Sequence, residues 1–216
     1  MSSTRLPGKV LADLGGEPVL ARVIERLRAA GQLDGIVVAT SQDPSDDPLA
    51  EAATALGIAV VRGPLDDVLA RYLLASELHP CEAVVRITAD CPLIDPAIVD
   101  RVVETWRVTG ADYVANVIEP RTFPRGMDTE VVAAGALRAA AAEAVEPYDR
   151  EHVTPWIRDR PERFAQVAIA HDPPHGEVRL TLDTPEDLAL LRDLVGRLGP
   201  DAALGRLLAA VGERRP

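Results

Sequence analysis

Lysine occurs once in this chain, at position 9; the other 22 of its 23 basic residues are arginine. Lys9 closes the segment Ser3-Thr4-Arg5-Leu6-Pro7-Gly8-Lys9, in which Pro7 and Gly8 shape a tight loop and Arg5 adds a second cation. A compact ammonium on a long stem acts on a phosphate as a point charge, a task that a planar guanidinium does not duplicate. The competing reading is a solvated basic N-terminus. Two aspartates carry a second kind of chemistry. Asp90 follows the apolar run of Ile87-Thr88-Ala89-Asp90-Cys91-Pro92-Leu93, and Asp183 follows Arg179-Leu180-Thr181-Leu182. Both stand where a strand is expected to end, just before a proline. Magnesium is commonly held by one or two carboxylates plus substrate phosphates, so two such aspartates would suffice if they met. Spacing alone does not bring them together: Asp90 reads equally well as a turn residue, and Asp183 as a helix N-cap.

These groups need elements to position them. With 216 residues and 47% apolar content, the chain can bury one good core, and a single domain over residues 1–216 is expected. Leu20, Val23, Ile24 and Leu27 recur at helical spacing, which predicts a helix over about 18–30 ended by Gly31. Short apolar runs at 36–40, 59–62, 83–88 and 112–115 alternate with helical stretches leading to Gly57, at 66–76 and at 96–107. Strands alternating with helices every 20 or so residues imply an α/β fold with a doubly wound, mostly parallel sheet. Ligands in such sheets sit beyond the carboxyl ends of strands, where Ser41, Gly63 and Asp90 fall. After Asn116 the pattern loosens into a loop with Arg121, Pro124, Arg125 and Gly126, then a strand at 130–132, an alanine-rich helix and Asp149-Arg150-Glu151-His152. Residues of about 117–160 are expected to form a substrate-binding insertion and a dimer contact. Arg179–Leu182 is expected to return to the sheet, and Asp183-Thr184-Pro185-Glu186 to cap a helix running to about Leu198.

Composition excludes several classes. A net charge of −11 argues against a nucleic-acid polymer as partner, although a small charged nucleotide needs only a local positive cluster. No window reaches the roughly 18 apolar residues of a membrane span. Cys81 and Cys91 lack metal spacing and form no ligand pattern with His79, His152, His171 and His175, so zinc is not expected and a reduced, cytoplasmic state is. Trp106 and Trp156 are expected to be core or interface aromatics rather than base-stacking platforms.

Six blocks, in order along nearly the whole chain, resemble the cytidylyltransferases that make CMP-activated sugar acids, the CMP-Kdo and CMP-acylneuraminate synthetases. The spore-coat polysaccharide branch is the nearest. The blocks are Thr4-Arg5-Leu6-Pro7-Gly8-Lys9, Arg62-Gly63-Pro64-Leu65-Asp66-Asp67-Val68-Leu69-Ala70-Arg71-Tyr72, and Arg86-Ile87-Thr88-Ala89-Asp90-Cys91-Pro92-Leu93-Ile94-Asp95. Thr122-Phe123-Pro124-Arg125-Gly126, Arg150-Glu151-His152-Val153-Thr154 and Leu182-Asp183-Thr184-Pro185-Glu186-Asp187 follow. The resemblance implies a Rossmann-like, GT-A-like nucleotidyltransferase, active as a homodimer, that moves CMP from CTP to a sugar or sugar acid with Mg²⁺. It implies that Asp90 and Asp183 bind the metal, that Arg5 and Lys9 hold the triphosphate, and that Arg71 lies on the nucleotide side. Arg125 and His152 are the candidates for the sugar side, with ordinary loop salt-bridging as their alternative. In the family an apolar strand precedes the phosphate loop, and this sequence begins inside that block. A stable, active form is therefore expected to extend upstream of Met1, the 216-residue form being a weakly stable or non-catalytic remnant. Another nucleotide, or a glycosyltransferase chemistry, are the alternatives within the fold; the latter lacks support because Asp90-Cys91-Pro92 has no second aspartate.

Overall fold

The computed structural model describes residues 5–213. Strand β1 (Val37–Ser41) pairs in parallel with β2 (Ala59–Gly63), and α1 (Val19–Arg28) and α2 (Asp47–Ala55) flank them. Buried Leu20, Ile24, Leu49, Ala53 and Ile58 fill the space between these helices and the pair. After α3 (Val68–Leu78), strand β3 (Ala83–Arg86) opens a second sheet, followed by α4 (Pro96–Thr109), β4 (Tyr113–Ala115) and β5 (Glu130–Ala133). Then come α5 (Ala134–Glu143), α6 (Pro147–His152), α7 (Pro155–Arg158), β6 (Gln166–Ala168), α8 (Pro185–Leu198) and α9 (Leu204–Gly212).

The expected α/β architecture with parallel pairing is present, and its details differ in two places. The second sheet has the order β3-β5-β4-β6, in which β4 and β6 are parallel while β5 runs antiparallel between β3 and β4. The segment Arg179–Leu182, expected as a strand, makes a single bridge from Arg179 to Arg125. Its backbone splits between two partners: Leu180 N donates to Arg125 O at 2.7 Å, and Leu182 N to Asp90 O at 2.8 Å. With its hydrogen bonds divided in this way, the segment joins two loops instead of extending one ladder.

Strand periodicity explains how the sheet is covered on both faces. Tyr113 and Ala115 face a core built with α3, α5 and α7, while Val114 between them faces the main core under α1, α4, α8 and α9. Val131 and Val132 of β5 divide in the same way. A sheet buried on both sides reads as a continuous apolar run, and that is what these short strands show.

Two glycines fix the loops that matter below. Gly8 sits at φ 70° and starts the 3₁₀ turn Lys9–Leu11, which a β-carbon would strain. Gly126 sits at φ 102°, and a β-carbon there would lie 2.6 Å from the Leu180 carbonyl carbon. The Arg125 loop thus touches the Leu180 segment backbone to backbone. Gly126→Ala is expected to cost on the order of 1–3 kcal/mol and lower the melting midpoint by several degrees. A variant melting with the wild type would show that this approach is not needed.

Candidate active site

Lys9 emerges from its 3₁₀ turn at the place where two distant segments meet. Its Nζ donates to Asp90 Oδ2 at 2.7 Å, to Asp183 Oδ1 at 2.8 Å and to the Leu182 carbonyl at 2.8 Å. All three ammonium donors are used, and the side chain is only 14% exposed. Two carboxylates in contact with one nitrogen are close enough to share a single small cation. The lone lysine, the strand-end aspartate and the proline-led aspartate converge as the sequence suggested.

Each partner is set by local structure. Asp90 ends the turn after β3, and its other oxygen accepts from Thr88 Oγ1 at 2.6 Å. The alternative of Asp183 as a plain N-cap does not hold. Thr184 is the N-cap of α8 and forms a capping box with Asp187, whose Oδ2 also accepts from Asp183 N at 2.9 Å. This leaves the Asp183 carboxylate to others: Oδ1 faces Lys9 and Arg5, the latter at 3.3 Å, and Oδ2 accepts from Arg179 Nη2. Burial works against ionising Asp183, but hydrogen bonds from Lys9 and Arg179 and the Arg5 charge hold its carboxyl below the usual carboxylate value. Burial likewise disfavours charge on Lys9, and its bonds to Asp183 and Asp90 overcome that and raise its pKa. Lys9 is therefore fully protonated at neutral pH.

The donor set fits a magnesium ion. Two carboxylate oxygens already surround one cationic centre, and among the described residues no cluster of three or more His, Cys, Asp or Glu offers an all-protein cage. A hard octahedral ion bound here by Asp90 and Asp183 would draw its other ligands from water and phosphate.

Arg125 and His152 come together elsewhere, on a polar cavity of about 600 Å³. Its rim is the 117–128 loop, its floor is Arg86 of β3 and Glu130 of β5, and its wall is α6 and α7. His152 ends α6, and the next residue, Val153, is buried with φ 75°, the one non-glycine residue of positive φ among those described. A β-branched residue in that conformation is strained, and its burial against Trp156 and Ile157 holds it there. The bridge between Arg125 and Arg179 joins this cavity to the lysine site, because the Arg179 side chain clamps Asp183. Arg71 belongs to neither group. It packs over the end of β2, where a β-carbon on Gly63 would lie 2.8 Å from Arg71 Cγ, and its Nε is buried without a partner. Trp156 is buried among Arg160, Arg163 and Phe164, and Trp106 packs against the main core, so both are structural as expected.

Residues 1–210 match the cytidylyltransferase family model. This chain belongs to the cytidylyltransferase family. The spore coat polysaccharide biosynthesis protein SpsF of Bacillus subtilis (strain 168) is 33% identical over 218 residues, covering 96% of this chain and 89% of the relative. A cytidylyltransferase from Leptospira borgpetersenii serovar Hardjo-bovis superposes with a TM-score of 0.94 at 32% identity, over 99% of this chain and 90% of that one. A CMP:2-keto-3-deoxy-manno-octonic acid synthetase complexed with CTP shares the fold, with a TM-score of 0.66 at 18% identity over 91% of this chain and 95% of its own. No helix among the described residues of this cytidylyltransferase is long and apolar enough to cross a membrane.

Reading the sequence did not single out Arg179, Thr88, Glu130 or Tyr113. Arg179 and Thr88 carried local signals, their i,i+4 and i,i+2 spacings to Asp183 and Asp90; Glu130 and Tyr113 depend on register between strands.

Because Lys9 neutralises the carboxylate pair in the nucleotide-free protein, Lys9→Met should expose it. The expected result is Mn²⁺ binding at least about tenfold tighter than in the wild type, or about 1.4 kcal/mol, in an electron-paramagnetic-resonance titration without nucleotide. Equal affinity would mean that Asp90 and Asp183 do not form a cation site.

Proposed function

We propose that this cytidylyltransferase moves CMP from CTP to a hydroxyl of a sugar or sugar acid and releases pyrophosphate, for cell-surface or spore-coat polysaccharide. The observation that carries the reading is the meeting of Lys9, Asp90 and Asp183 at a single point, with Arg5 and Arg179 beside them. Five charged groups from three separate segments serve no hydrophobic core; they suit a triphosphate and its counter-ion. SpsF supports the polysaccharide context, and the CTP complex of the related fold supports the nucleotide.

In this reading an acceptor hydroxyl oxygen bonds to the α-phosphorus in line, and the bond from that phosphorus to the bridging oxygen of pyrophosphate breaks. Negative charge accumulates on the leaving oxygens, so the protein's contribution is position and fixed positive charge. Lys9 turns from the carboxylates to the phosphates and Arg5 flanks it. Asp90 and Asp183, released from the ammonium, would hold Mg²⁺, which when bound would supply Lewis-acid stabilisation of the phosphate oxygens. Thr88 and Arg179 keep the two carboxylates oriented. Arg71 lies on the nucleotide side, and Arg125 and His152 on the acceptor side, where the Arg125 fork, without an ion pair among the described residues, suits a carboxylate. A homodimeric, cytoplasmic enzyme is the form we propose.

Pyrophosphate release measured across nucleoside triphosphates and a panel of sugars and sugar acids tests this reading. Turnover should require CTP and one class of acceptor. Asp90→Asn and Asp183→Asn should each lower kcat by about 10²–10³, and Lys9→Arg should restore only part of what Lys9→Ala loses. Undiminished turnover in the aspartate variants would refute the assignment.

A further inference from the structure

The floor of the cavity contains a buried three-residue chain. Glu130 begins β5 and lies opposite both Arg86 of β3 and Ala115 of β4 in the ladder. Its side chain is 5% exposed, yet both oxygens are taken: Oε1 accepts from Arg86 Nη1 at 2.6 Å, and Oε2 accepts from the Tyr113 hydroxyl. Burial, together with the Glu130 charge facing it, pushes the Tyr113 phenol well above its usual pKa, so it stays a donor. The carboxylate is fully satisfied and the arginine is not. Among the described residues only Nη1 of Arg86 is hydrogen-bonded, and Nε is buried without a partner.

Nε is enclosed by protein and out of a ligand's reach, but the guanidinium lines the cavity, and Nη2, which has no hydrogen bond among the described residues, is the donor left for a ligand. Position says what that is. Arg86 is the last residue of β3, and Asp90, whose carboxylate accepts from Thr88, lies four residues on. Four residues of chain span at most about 14 Å, the reach of one hexose-sized acceptor with its phosphoryl target.

Charge says which part of the acceptor is met. Arg86 is neutralised by Glu130, Arg121 by Asp128 at 2.6 Å and Arg158 by Asp159 at 3.0 Å, while Arg125 makes no ion pair among the described residues. The Glu119 carboxylate offsets the Arg125 charge, so the lining is formally balanced; Arg125 on the rim is its one guanidinium without an ion pair among the described residues, and the floor offers neutral-pair donors.

Resting on the cytidylyl-transfer reading, we infer that Arg86 is a specificity-determining residue that donates to an acceptor hydroxyl, with Glu130 and Tyr113 as positioning residues that fix its guanidinium. A site built to donate to one hydroxyl rejects the analogue that lacks it, because its own polar group is then left unpaired.

The test uses the acceptor that the wild type turns over best from the sugar and sugar-acid panel, and analogues with each hydroxyl removed in turn. Arg86→Gln alone would leave Glu130 buried and unpaired, so the double variant Arg86→Gln/Glu130→Gln is compared with Arg86→Lys, each checked for folding by its melting midpoint and its KM for CTP. Both variants should raise KM for the acceptor about tenfold or more while KM for CTP stays put. One deoxy analogue that the wild type rejects should be turned over by the variants about as well as the full acceptor, a non-additivity that a merely structural role would not produce. Tyr113→Phe should show the same loss in weaker form. If the wild type transfers CMP and folded variants keep both its acceptor KM and its discrimination, the role of Arg86 is refuted and the transfer reading stands. Should the wild type release pyrophosphate from CTP with no acceptor, both fall together.

Discussion

A single ammonium group organises the active end of this molecule. Lys9 Nζ joins the N-terminal loop to the turn after β3 and to the start of α8, segments separated by 81 and 174 residues. No apolar contact would bring two carboxylates this close, since their mutual repulsion opposes it. One cation between them, with Arg179 and Arg5 on the outer side, converts that repulsion into a cross-link. The arrangement is costly to desolvate and therefore a poor way to gain stability. It makes sense where the cation is exchangeable, and in the proposed reading a phosphate-bearing ligand with its own counter-ion exchanges with it.

Charge is distributed with the same economy over the rest of the surface. A chain with a net charge of −11 presents a field that repels polyanions, yet Arg5, Lys9 and Arg179 make a local cationic cluster around its carboxylate pair. Within the cavity four arginines face four carboxylates, which leaves the lining formally neutral and discrimination to hydrogen-bond geometry.

Much of this was legible from residue types. A lone lysine among 22 arginines marked its own importance, and the two aspartates before prolines marked theirs. Helix boundaries followed from caps, as at Thr184 and Pro185, and the alternation of strand and helix gave the fold class. What was hidden depends on pairing. The antiparallel insertion of β5 is invisible in a four-residue apolar run, and with it the meeting of Arg86, Glu130 and Tyr113 across intervals of 44 and 17 residues. Arg179–Leu182 reads as a strand because Leu180 and Leu182 alternate inward, and only its divided hydrogen bonds show otherwise.

The two halves of the acceptor cavity differ in how they are anchored. Its rim is a loop between β4 and β5 that anchors Phe123 and Met127 in the main core and leaves the Arg125 side chain exposed. Its floor is made of residues that are also rungs of the central ladder, so Glu130 cannot move without unzipping β5 from both neighbours. Exposed loop side chains of this kind change freely as lineages diverge, and ladder rungs do not. Under the proposed transfer, descendants of such a protein would trade acceptors by rewriting the exposed rim side chains, while the direction from which an acceptor hydroxyl approaches would be inherited with the sheet.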